Sequence, residues 1–146
     1  MDRGFLKNIL VDADGLVALA KIDDSNHKKA VQVDIRLKKI GVVYYFSPFA
    51  VPEAVTVLSY KVSHLKAKEF LKSARKLDII TFKLPEKYEH LADNWFNKQR
   101  KKGTSYFDCY NMALLDRYRN QLDGIFSFDE VYRRNGFTLA TDFSTN

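Results

Sequence analysis

Apolar residues in this chain alternate between short unbroken runs and stripes that recur every three or four positions, the patterns of buried strands and amphipathic helices. The first run, Asn8-Ile9-Leu10-Val11-Asp12, predicts a buried strand ending in an acid, and Ala13-Asp14-Gly15 leads into a helical pattern through Leu16, Leu19 and Ala20. Asp23-Asp24-Ser25-Asn26 is a polar turn before a helix from His27 to about Lys39, whose apolar positions are Ala30, Val31, Val33, Ile35, Leu37 and Ile40. Gly41 closes it, and Val42-Val43-Tyr44-Tyr45-Phe46 has the β-branched and aromatic density of a second strand.

Ser47 and Pro48 stop that strand. Pro52 suits the first turn of a helix, where its missing N–H would be unpaired anyway, and the helix dipole favours Glu53 beside it. Val55, Leu58 and Val62 continue the stripe, and a further helix runs from Ser63 to about Leu77. Asp78-Ile79-Ile80-Thr81-Phe82 predicts a third strand, and Pro85 opens a helix turning Tyr88, Leu91, Trp95 and Phe96 to the core. After Lys98-Gln99-Arg100-Lys101-Lys102-Gly103, Thr104 or Ser105 caps a helix holding Asp108, Met112, Leu115 and Tyr118. Gly124-Ile125-Phe126-Ser127-Phe128-Asp129 predicts a fourth strand, again ending in an acid; a helical turn then leads through Asn135-Gly136 to a last strand, Phe137-Thr138-Leu139.

Strands alternating with helices imply parallel pairing and right-handed crossovers. The expectation is a three-layer α/β/α fold with a central parallel sheet of four to five strands, one domain over residues 1–146, without repeat, low-complexity tract or linker. No window approaches the ~18 apolar residues of a membrane span, and the N-terminal Met1-Asp2-Arg3-Gly4-Phe5-Leu6-Lys7 lacks a secretory pattern, so a cytoplasmic protein is expected. The single cysteine, Cys109, cannot form an internal disulfide and reads as a small core residue. Lys and Arg number 24 against 18 Asp and Glu, a net charge of +6 that favours a polyanionic partner such as nucleic acid, though it also serves solubility.

Candidate chemistry lies in the acids. Asp12 and Asp129 end two predicted strands, while Glu53 and Asp108 begin helices fed by such strands, and ligands of open parallel sheets sit outside the strands' carboxyl ends. Four carboxylates held together stay ionised only if a cation compensates them, and an oxygen-only ligand set selects Mg²⁺ or Mn²⁺ rather than zinc. His27, His64 and His90 are isolated and read as surface or helix-face residues. A carboxylate-held Mg²⁺ on a basic protein points to phosphodiester hydrolysis without a side-chain nucleophile. Each acid also has a plain structural role open to it, as a strand-end turn residue or a first-turn helix residue.

Ile9-Leu10-Val11-Asp12-Ala13-Asp14-Gly15-Leu16-Val17-Ala18-Leu19 resembles the opening motif of a PIN domain. Val51-Pro52-Glu53-Ala54-Val55-Thr56-Val57-Leu58, Tyr106-Phe107-Asp108-Cys109-Tyr110-Asn111-Met112-Ala113 and Ile125-Phe126-Ser127-Phe128-Asp129-Glu130 resemble the second, third and fourth acidic motifs, in order. In size and layout the chain is most similar to the single-domain PIN ribonucleases that act as VapC-type toxins. The resemblance implies Mg²⁺- or Mn²⁺-dependent endoribonuclease activity, an RNA substrate, a homodimer and a cognate antitoxin. It assigns the metal site to Asp12, Glu53, Asp108 and Asp129, with Asp12 and Asp108 as direct ligands and Ser127 orienting the cluster. Asp14 departs from the family pattern; its extra carboxylate supports the site by strengthening metal binding or simply caps the helix, and the cap is the favoured reading.

Lys98, Arg100, Lys101 and Lys102 read either as an RNA-backbone contact beside the metal or as cations at a helix C-terminus. Three alternatives stand beside the toxin. One is a PIN nuclease of RNA processing, and another a PIN-like binding module with a silent metal site. The third is a haloacid-dehalogenase-like phosphatase, since Asp12-Ala13-Asp14-Gly15 resembles that nucleophile motif with Asp12 as the attacking group.

Overall fold

Ile9 and Val11 bury one way and Leu10 the other, so the first apolar run is covered on both faces, as expected for the central strand of a parallel sheet. The computed structural model describes residues 7–143, and the stretch Met1–Leu6 expected to lead into that strand lies outside them. Four strands, β1 Asn8–Val11, β2 Val43–Phe46, β3 Ile80–Thr81 and β4 Gly124–Phe126, form one sheet in the order β3-β2-β1-β4. All pairs are parallel, with Leu10 opposite Tyr45 on one side and Ile125 on the other. The chain winds outward from β1 to β3 and crosses back to add β4 on the opposite side. Strand order therefore reverses at β1, and the crevice beyond β1 and β4 is the topological switch point.

The helices are α1 Ala13–Ala20, α2 His27–Lys39, α3 Ala50–Lys61, α4 His64–Arg75, α5 His90–Lys98, α6 Tyr106–Arg117 and α7 Glu130–Arg134. Ile9, Val11 and Phe126 pack with Ala18, Ala30, Val33, Leu37, Val51 and Ala74 of α1 to α4. On the other face Leu10 and Ile125 pack with Ala92, Met112, Leu114, Leu115 and Tyr132 of α5 to α7. This is the expected three-layer arrangement. Among the described residues no helix is long and apolar enough to cross a membrane.

Several boundaries differ from expectation. β3 has two residues rather than five, because it is an edge strand whose only partner in the sheet is β2. β4 stops at Phe126, since Ser127 to Asp129 turn their polar groups into side-chain hydrogen bonds instead of a ladder. The last predicted strand shrinks to one bridge between Leu139 and Ile125. The segment after Pro85 begins as a 3₁₀ turn, Glu86–Tyr88, before α5. Ile35, Ile40, Val62 and Phe96 are exposed despite their helical spacing; the buried stripe of α2 narrows to Ala30, Val33 and Leu37.

Two local devices position the site. Ser105 is the cap of α6, its Oγ accepting from the Phe107 amide at 3.2 Å, while Thr104 donates to the Lys101 carbonyl instead. At Gly15 a Cβ would lie 2.7 Å from the Phe126 carbonyl oxygen, so only glycine lets α1 press this closely on the end of β4.

Candidate active site

Asp12 leaves β1 in extended conformation and caps α1, and its backbone N–H continues the ladder to Phe126 O at 3.1 Å. Its carboxylate is 4 % exposed and has four donors around it. Oδ1 accepts from the Ala13 amide at 2.7 Å and Asn111 Nδ2 at 3.2 Å; Oδ2 accepts from Tyr132 Oη at 2.8 Å and Ser127 Oγ at 3.3 Å. The capping role and the site role thus belong to the same carboxylate.

Asp14 does not cap α1, contrary to the sequence expectation. It stands in the first turn and reaches across to the loop after β4, where its Oδ2 accepts from the Phe128 amide at 2.8 Å and Ser127 Oγ at 3.1 Å. Its Oδ1 is buried without a partner. Ser127, fully buried, lies between Asp12 and Asp14, its one hydroxyl proton going to one carboxylate at a time, and it accepts from the Asp129 amide at 3.1 Å. Asp129 caps α7 by accepting from the Val131 amide at 2.9 Å.

Asp108 enters from the first turn of α6. Its Oδ1 lies 3.0 Å from Tyr132 Oη, the same oxygen that contacts Asp12, and Asn111 donates to Tyr132 Oη at 3.0 Å. A phenol carries one proton, so it donates to one carboxylate at a time; with both contacts formed, the second carboxyl group must supply a proton of its own. Tyr132 and Asn111 are buried polar residues that the sequence reading did not assign. Asn111 carried a weak signal, an amide one turn after Asp108 within an apolar helix face, whereas Tyr132 carried none.

Burial, then the Asp14 and Asp108 charges, push the Asp12 carboxyl well above the usual carboxylate range. Asp108 is pushed up to about 7 by burial and then by Asp129, against the lowering effect of the Tyr132 hydrogen bond. Glu53, half-buried on α3, is raised by burial and by Asp14, and Asp14 is raised chiefly by burial. Hydrogen bonds through Ser127 and Tyr132 tie Asp12, Asp14 and Asp108 together, and Asp108 and Asp129 line one groove; Glu53 stands on α3 without a hydrogen bond to any of them among the described residues. Among the described residues, however, no three His, Cys, Asp or Glu side chains are grouped so that they could hold a metal ion. The donor set is nevertheless oxygen-only, and two buried acceptors around Asp12, Asp14 Oδ1 and Asn111 Oδ1, lack partners. Such a set fits a hard divalent cation, which would relieve both the repulsion and the orphaned oxygens.

A groove of about 150 Å³ opens onto Asp108 and Asp129, lined also by Lys101, Lys102, Thr104 and Arg134 among others. Lys101 and Lys102 thus stand where the sequence reading put them, and Arg134 joins them from α7. Lys98 turns away, its ammonium 4.2 Å above the Trp95 ring, and Arg100 is exposed without lining the groove. The cluster of four therefore divides, because Lys98 still belongs to α5 whereas Lys101 and Lys102 lie on the loop that Gly103, at φ +85°, turns into α6.

No family model and no curated protein sequence matches the chain. Among solved structures, it is similar to Mycobacterium tuberculosis VapC20, a toxin described as cleaving the sarcin-ricin loop. The TM-score is 0.73 at 20% identity, over 89% of this chain and 96% of that one. Likeness at that identity establishes the fold, which is the PIN-like architecture expected from the sequence.

Proposed function

We propose that this chain is a Mg²⁺- or Mn²⁺-dependent endoribonuclease, acting in the cytoplasm as a single domain of residues 1–146 and serving as the toxin of a toxin–antitoxin pair. What supports the reading is that hydrogen bonds through Ser127 and Tyr132 tie Asp12, Asp14 and Asp108 together at the switch point of a PIN-like sheet, with a cationic groove opening onto Asp108 and Asp129. Asp12 and Asp108 would hold the cation directly, with Glu53, Asp129 and Asp14 contributing directly or through water. When bound, such a cation activates water and neutralises charge developing on the phosphoryl oxygens.

The chain's own residues supply the rest. Tyr132, Asn111 and Ser127 hold the Asp12 and Asp108 carboxylates in one orientation. Lys101, Lys102 and Arg134 supply positive charge along the groove, where a phosphodiester backbone would lie against the acids. The phosphatase alternative needs Asp14 free to serve as acid and base, but its carboxylate is tied to the Ser127 hydroxyl and the Phe128 amide.

The test is cleavage of structured RNAs, sarcin–ricin loop RNA among them, with Mn²⁺ or Mg²⁺, using the wild type, Asp108→Asn and a chelator control. Cleavage that requires the metal and Asp108 supports the nuclease; its absence on every RNA overturns it. Growth arrest on expression, relieved by the product of the adjacent gene, separates a toxin from an RNA-processing enzyme. Sedimentation tests the homodimer.

A further inference from the structure

The helix turn that presents Asp108 also presents an aromatic ring that the core does not use. Phe107 is 40 % exposed in the first turn of α6, immediately before Asp108. It is seated against Phe49, the residue capping α3, with ring centroids 5.1 Å apart, and Phe49 in turn meets Tyr110 edge-on at 4.8 Å. Phe49 and Glu53 are four residues apart and share a face of α3. The Phe49–Phe107 pair therefore bridges the two helices that carry Glu53 and Asp108. The cationic groove reaches Asp108 from the other flank, that of Asp129.

We propose that Phe107, held by Phe49, is a nucleobase-stacking subsite that seats an unpaired base of the RNA next to the scissile phosphate, while Lys101, Lys102 and Arg134 take the backbone on the other flank. It rests on the nuclease role proposed above and specifies its substrate further: the strand at the site must offer an unstacked base, as a loop or single strand does and a continuous duplex does not. A base stacks on an aromatic face whatever its identity, so the subsite selects unpaired structure rather than sequence. Phe49 matters because a ring held in place by a second ring loses little freedom when a base lands on it. An occupant reaching across Asp108 needs a flat π-face for Phe107 and an attached anion for the cations of the groove, and a nucleotide has both.

The experiment measures binding of a fluorescein-labelled oligouridylate to the full chain by anisotropy, with chelator present so that no cleavage occurs. A second oligomer has abasic nucleotides in place of its central bases. Phe107→Leu keeps an apolar contact with Phe49 but removes the flat face; Phe107→Trp keeps the face; thermal melting checks that both fold. Stacking predicts that Phe107→Leu loses roughly 5- to 150-fold in affinity, with an unchanged salt slope, and that Phe107→Trp binds like the wild type. It also predicts that abasic substitution weakens the wild type but costs Phe107→Leu nothing more. Equal affinity of Phe107→Leu and wild type, an equal loss on both oligomers, or no binding of the oligomer by the wild type would overturn the subsite. Metal-dependent cleavage of RNA by the wild type, measured separately, decides the nuclease role, so the two can fail independently.

Discussion

Tyr132→Phe removes one oxygen from the centre of the site and leaves the ring that fills the core. Tyr132 is fully buried, so the substitution opens no side-chain-sized cavity, and its effect is confined to the contacts of Oη with Asp12, Asp108 and Asn111. That hydroxyl lowers the pKa of whichever of the two acids accepts its proton, against burial and mutual repulsion. A hydrogen bond to a charged group contributes ~1.5–3 kcal/mol, so losing it raises the affected pKa by about one to two units. A cation must then displace a more tightly held proton, and the remaining carboxylates are less firmly oriented. The expected result is a drop in Mn²⁺ affinity of roughly 10- to 100-fold at neutral pH, the usual scale for partners that orient metal ligands. Isothermal titration across about pH 6 to 9 should also show the midpoint for Mn²⁺ binding moving to higher pH. Unchanged affinity together with an unchanged midpoint would refute the role given to Tyr132.

Other outcomes follow from the same charges. Asp108, at about 7 in the fold against a usual value near 4, binds more protons folded than unfolded between those limits. Metal-free stability should therefore fall as pH rises from about 4 to 7, the reverse of a salt-bridged acid; denaturant melts in chelator at acidic and neutral pH check the sign, and greater stability at neutral pH would contradict it. Asp108→Asn should abolish metal-dependent cleavage while leaving the metal-free protein as stable as the wild type or more so, measured by thermal melting. Replacing Lys101 and Lys102 by Ala should lower the salt slope of single-strand RNA binding by about 0.7 per lost phosphate contact, whereas Lys98→Ala, whose ammonium lies over Trp95, should leave that slope unchanged. Gly15→Ala forces a Cβ against the Phe126 carbonyl and should destabilise by about 1–3 kcal/mol, read as a lower denaturation midpoint.

The alternation of apolar runs and stripes determined, by itself, the order of strands and helices and the acids that stand at their ends. Those are local properties: β1 is apolar because both its faces are covered, and Asp12, Asp129 and Glu53 take the cap and first-turn positions that carboxylates favour in any helix. Short edge elements were less legible, since β3 and the Leu139 bridge depend on a partner rather than on their own residues. What tertiary structure decided was which polar groups meet. Asp14, a cap by its sequence position, was instead drawn to Ser127 and Phe128 because α1 packs on β4 at Gly15. Tyr132 lies 120 residues from Asp12 and 24 from Asp108, and no periodicity in a chain encodes a contact across such separations. The four carboxylates were visible one at a time. The single Tyr132 hydroxyl that lies between Asp12 and Asp108 meets them only where β1, α6 and α7 converge.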